Sequence, residues 1–116
     1  MSATYYNTVI DQGADWYITF TYKDSAGVAI NLTGYTAAMQ LRSEPSDTTA
    51  FLSLSSPSNG ITITGATGTI AVHATAAQTG AISPGYYYYD LEITSGAGVI
   101  TRLVQGQIEV NAQVTR

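Results

Sequence analysis

Hydrophobic and polar residues alternate along much of this chain with a period of two. The clearest run is Asp15 to Lys23 (DWYITFTYK). Trp16, Ile18, Phe20 and Tyr22 share one face, and Asp15, Tyr17, Thr19, Thr21 and Lys23 share the other, which is the pattern of a half-buried strand. Tyr35 to Ser43 repeats it, with Tyr35, Ala37, Met39 and Leu41 inward and Gln40 and Arg42 outward. Shorter runs follow at Phe51–Leu54, Ile61–Thr64 and Thr69–Ala74. Thr4–Asp11 reads as an edge strand and Val28–Leu32 as a short extended segment. Between the runs stand turn residues: Asp24-Ser-Ala-Gly27, Asn31-Leu-Thr-Gly34, Ser95-Gly-Ala-Gly98, and an Asn59-Gly60 pair that signals a hairpin. Only Thr75–Gly80 has helical character, with a capping Thr and a terminal Gly.

Two long strands complete the set. In Gly85–Thr94 (GYYYYDLEIT), four consecutive tyrosines precede Asp90, Leu91, Glu92 and Ile93. Tyr87 and Tyr89 share parity with Leu91 and Ile93, and Tyr86 and Tyr88 share it with Asp90 and Glu92. The acids decide the orientation, because burying them unpaired is expensive. Tyr87 and Tyr89 therefore point inward, one of them at the place of a sandwich's corner tyrosine. The last strand runs from Val99 to about Asn111. Val99, Thr101 and Leu103 have the opposite parity to Ile108 and Val110, which predicts a bulge within Val104–Gln107, permitted by Gly106.

About eight short strands at this spacing predict an all-β, immunoglobulin-like antiparallel β-sandwich. Its expected core contains Trp16, Ile18, Phe20, Met39, Leu41, Ile70, Val72, Leu91 and Ile93. With 116 residues, no internal repeat and no linker, residues 1–116 form a single domain.

Composition narrows the function. Charged residues make up only 10%, the net charge is −4, and the four bases are scattered at Lys23, Arg42, Arg102 and Arg116. No basic face exists for nucleic acid. No apolar run approaches the ~20 residues that span a bilayer, so no membrane partner is expected. The absence of cysteine excludes thiolate metal sites. A surface built largely from 17 Thr and 10 Ser carries little of the charge that keeps monomers apart.

No constellation in the sequence supports catalysis. His73, the only histidine, has outward parity, no second histidine and no sequence-adjacent acid, and reads as a solvated strand residue. Asp11 and Asp15 lack the further ligands of a calcium loop and read as turn residues. Asp90 and Glu92 form a solvated stripe beside Arg102. The expectation is a non-enzyme with no catalytic residue, no metal and no cofactor. Outward tyrosines remain, and Tyr86, Tyr88 and Tyr17 are the candidate protein-contact residues.

The run Tyr22–Arg42 (YKDSAGVAINLTGYTAAMQLR), with the later GYYYYDLEI and ITRLVQGQIEV, resembles the N-terminal immunoglobulin-like domain of phage baseplate upper proteins. The resemblance implies a bacteriophage virion structural protein docking on the tail, baseplate or head. Its partners would be other virion proteins and copies of itself, and it would reside in the virion after assembly in the host cytoplasm. The alternative expectation is a carbohydrate- or host-receptor-binding sandwich in which Tyr86, Tyr88 and Tyr17 stack on the ligand.

Overall fold

In the computed structural model, which describes residues 4–115, strands account for nearly all the regular structure. They are β1 (Thr4–Tyr5), β2 (Thr8–Asp11), β3 (Trp16–Thr21), β4 (Thr36–Arg42), β5 (Leu52–Ser55), β6 (Ile61–Thr64), β7 (Thr69–Ala74), β8 (Gly85–Thr94) and β9 (Ile100–Asn111). The one α-helix among the described residues, α1 (Ala76–Gly80), has a capping box between Thr75 and Gln78. Two sheets face each other. The large one runs β1/β2-β9-β8-β4-β5 and the small one β3-β7-β6, the strand arrangement of an immunoglobulin-like sandwich. Most pairs are antiparallel, but β1 and β2 run parallel to β9, so the large sheet is mixed.

Alternation is what closes the core. Met39 and Leu41 of β4, Leu91 and Ile93 of β8, and Ile70 and Val72 of β7 are all essentially inaccessible, and Trp16 is buried beside them. Ile18 and Phe20 have the same parity but are only partly buried. The reason is topological: β3 is the edge of its sheet, and no strand covers its outer side among the described residues. α1 plugs one end. Thr79, fully buried, donates its hydroxyl to the Ala14 carbonyl (2.8 Å) and accepts from the Gly13 N–H (3.1 Å).

The tyrosines divide as parity requires: Tyr87 and Tyr89 are buried, Tyr86 and Tyr88 exposed. The Tyr87 hydroxyl donates back to the Ser83 carbonyl at 2.5 Å, the bond of a tyrosine corner. Tyr89 lies opposite Gly106 of β9, and its hydroxyl donates to the Tyr6 carbonyl beyond, at 2.6 Å. Both buried phenols thus keep a partner, and burial pushes both above the ordinary tyrosine range near 10.

Three expectations change in detail. The bulge in β9 falls at Leu103, between Leu91↔Val104 and Glu92↔Arg102, just before the expected window. Gly106 serves another purpose, because a Cβ there would collide with the Tyr6 carbonyl. Only glycine lets the N-terminal strand approach β9 this closely. Asn59-Gly60 does not join a hairpin, because β5 and β6 belong to different sheets and the turn carries the chain across the sandwich. Val28–Leu32 is loop with one bridge, Ala29 to Lys23, and Leu32, buried in the core, is tied by its N–H to the Gly65 carbonyl at 2.8 Å.

Gly106→Ala should displace the N-terminal strand and lower stability by about 2–3 kcal/mol, read by urea unfolding. Alkaline unfolding tests the buried phenols. An unfolded tyrosine releases its proton near pH 10, whereas folded Tyr87 and Tyr89 retain theirs, so the unfolded state binds fewer protons above that pH. Their contribution to stability should be constant below about pH 10 and be lost as pH rises further. Replacing both residues with Phe should flatten that alkaline slope.

Candidate functional site

Side chains able to do chemistry gather in two places, on opposite outer faces of the sandwich. The larger is the outer face of the β9-β8-β4 sheet. Here the outward positions of three strands form a lattice: Gln40 and Arg42 from β4, Tyr88, Asp90 and Glu92 from β8, and Arg102, Gln105 and Gln107 from β9. Tyr5 and Asn7 of the N-terminal segment wall one side and Pro45 the other, enclosing a depression of about 640 Å³.

The charges on this face are unequally satisfied. Arg102 Nε lies 3.3 Å from Asp90 Oδ2, so these two neutralise each other, and Arg102 also donates to Gln105 Oε1 (3.3 Å). Arg42 has no acidic partner of that kind: it donates to the Asp47 carbonyl (2.8 Å) and to Gln40 Oε1 (2.6 Å). Glu92 makes no ion pair and no side-chain hydrogen bond with any described residue. Glu92 stands directly across the strands from Arg102 but makes no direct ion pair with it, and Arg42 has no carboxylate within ion-pair distance among the described residues. Arg42 pairs across the strands with Tyr88, and Glu92 stands four residues further along β8, about 14 Å away at the usual strand rise.

The second cluster joins β3 to β7 on the small sheet. Asp15 Oδ1 is 3.2 Å from His73 Nε2 and also accepts the Ala76 N–H at 3.1 Å. Tyr17, cross-strand partner of His73, stacks on its ring at 4.3 Å with the planes 3° apart. Sequence separation hid this group, since Asp15 and His73 lie 58 residues apart. The β3–β7 register alone brings them together.

The candidate contact tyrosines do not converge. Tyr86 and Tyr88 are exposed on the large sheet, while Tyr17, 71% exposed, belongs to the small one. Only Tyr88 lines the depression. Asp11, weighed with Asp15 as a carboxylate pair, instead meets Asn111 at 3.4 Å on the β2–β9 edge.

Comparison with known proteins supports the fold and corrects both functional expectations. No family model matches the chain, and no curated protein matches it. Among solved structures, CopC from Methylosinus trichosporium OB3b superposes with a TM-score of 0.51 at 11% identity, covering 99% of this chain and 90% of that one. The soluble domain of PmoD from Methylocystis sp. (Rockwell) gives 0.49 at 14% identity, covering 89% and 77%.

The fold thus finds a solved counterpart in CopC. This corrects the expectation of a bacteriophage virion protein and, with it, the carbohydrate- or host-receptor-binding alternative. The physical reason lies in the motifs that carried the resemblance. Asp24 Oδ1 accepts from the Ala26 and Val28 N–H groups, and Gly27 closes that turn at φ 81°. Asn31 Oδ1 accepts from the Thr33 N–H and hydroxyl. These are local turn devices, open to any sandwich that needs the same bends.

Asp15→Ala removes the acceptor of the Ala76 N–H at the start of α1. It should lower stability by about 1 kcal/mol in urea unfolding, whereas Asp11→Ala should change it by less than about 0.5 kcal/mol.

Proposed function

We propose that this chain is a non-enzymatic binding domain that holds a short peptide, by both of its charged ends, across the outer face of the large sheet. The observation that carries the reading is the separation of two charges that make no direct ion pair, Arg42 and Glu92, in one walled depression. An extended peptide of about four residues spans ~14 Å, matching the separation of the two side chains along the sheet. Arg42, each of whose terminal nitrogens keeps one N–H beyond its bonds to Asp47 and Gln40, can donate to a terminal carboxylate, and Glu92 accepts an ammonium group. Gln40, Gln105 and Gln107 supply the donors and acceptors that peptide groups between the ends require. Tyr88 gives the ligand a flat apolar surface at little entropic cost.

Metal handling is the second reading, favoured by the likeness to CopC and by the Asp15–His73 pair. A separation of 3.2 Å suits two adjacent ligands of one ion with bonds of about 2.0–2.2 Å. The set stops there. Among the described residues no three His, Cys, Asp or Glu side chains gather, the chain has no cysteine, and Met39 is buried in the core. These residues do not fit a resident zinc ion, which takes at least three protein ligands, and they offer a copper ion only one imidazole and one carboxylate. The peptide-binding face is the better-supported site.

Titrating ¹⁵N-labelled protein with tetrapeptides tests this reading. Free-ended peptides should shift the amides of Gln40, Tyr88 and Gln107, and acetylating or amidating an end should weaken binding about tenfold, as expected for losing a charge-assisted hydrogen bond. Glu92→Gln should abolish the penalty of acetylation, and Arg42→Gln that of amidation. Shifts indifferent to both caps, or confined to the small sheet, would overturn it.

A further inference from the structure

The small sheet ends on one side at β3, and the direction of its backbone groups can be read from the strand's end. The Tyr22 N–H donates to the Gly68 carbonyl (2.8 Å), and the Tyr22 carbonyl accepts from the Ile30 N–H (2.9 Å). Both bonds lie on the β7 side. Backbone polar groups alternate sides along a strand, so the even-numbered residues of β3 face β7 and the odd-numbered ones face away. The N–H and C=O groups of Tyr17, Thr19 and Thr21 therefore point from the open edge, where no other strand lies among the described residues. Native edges are blunted by prolines, charges or bulges, and WYITFT contains none of these.

We infer that this edge pairs with the β3 edge of a second copy, antiparallel about a two-fold axis at Thr19. The register follows from charge. Centring on Thr19 sets each residue opposite the one that makes its number up to 38, so Asp15 of each copy meets Lys23 of the other. These are the two charged residues flanking the strand, one at each end. All odd-numbered residues then form hydrogen-bonded pairs, Thr19 with Thr19 and Tyr17 with Thr21, which uses the groups that point outward.

The side chains agree with that register. Ile18 and Phe20 are only partly buried and line a hollow of about 230 Å³ with Tyr6 and Val104 at this edge. In the pair, Ile18 of one copy lies opposite Phe20 of the other, a close non-hydrogen-bonded position that covers the hollow. The two small sheets become one six-stranded sheet, and the large-sheet face of each copy stays open. The inference is independent of the peptide-binding reading.

Sedimentation analysis of the purified chain, together with cysteine trapping, tests it. The wild type should self-associate to a dimer. Lys23→Glu places like charges opposite each other twice and should weaken that association about tenfold. Because the chain has no cysteine, Thr19→Cys should oxidise to a cross-linked dimer. Thr21→Cys should not, since in this register the two Thr21 positions stand four residues, or about 14 Å, apart. A wild type that stays monomeric at every concentration, a dimer unaffected by Lys23→Glu, or equal cross-linking at both positions would overturn the inference.

Discussion

The hydrogen bond from Tyr89 to the Tyr6 carbonyl, over the bare backbone of Gly106, sets where the N-terminal strand lies. On the inner side of the sheet Tyr89 reaches across β9 because no side chain stands opposite it, and the donated bond at 2.6 Å fixes the segment that follows β1. Asn7 completes the junction by accepting the Gln107 N–H at 2.9 Å. An N-terminal strand paired with β9 cannot also pair with β3, although Tyr6 still packs edge-on against Phe20. One aromatic–glycine pairing therefore produces two features at once: Tyr5 and Asn7 as a wall of the large-sheet depression, and an uncovered edge on the small sheet.

The two outer faces differ in character for a reason visible in the strands beneath them. β8 and β9 are long, so their outward positions supply enough charged and amide side chains for a lattice spanning three strands. β3, β6 and β7 are short, and their outward positions are mostly Thr and Ala, with His73 and Tyr17 the exceptions. Charged and amide groups belong to the first surface, and hydroxyl and methyl groups dominate the second. The sandwich separates them by the thickness of its core.

Period-two alternation made the strands, their inward faces and the division of the four tyrosines legible before any coordinates. The acids at 90 and 92 oriented β8 because a one-residue slip would have buried both. What stayed hidden was pairing between distant segments. Nothing local distinguishes an Asn-Gly turn inside a hairpin from one that changes sheets, and Asn59-Gly60 does the latter. The parity break in β9 was visible, yet its position at Leu103 depended on the partner strand. For the same reason no local signal tied Asp15 to His73, or Arg42 to Glu92: each pair is assembled by register across strands. The turn motifs misled in the opposite way, since local hydrogen bonds repeat across unrelated sandwiches.

The parallel pairing of β2 with β9 has a consequence for how the chain is made. Ile10 finds its place against Val110, a hundred residues later, so β2 cannot pair until β9 has been synthesised. Closing a loop of that length before any local contact rewards it places this step late in folding. Until β9 has emerged from the ribosome, Tyr5, Tyr6, Val9 and Ile10 trail as an unpaired, largely uncharged strand. That interval, more than any moment in the finished molecule, is when the protein is most open to mispairing and in most need of a chaperone.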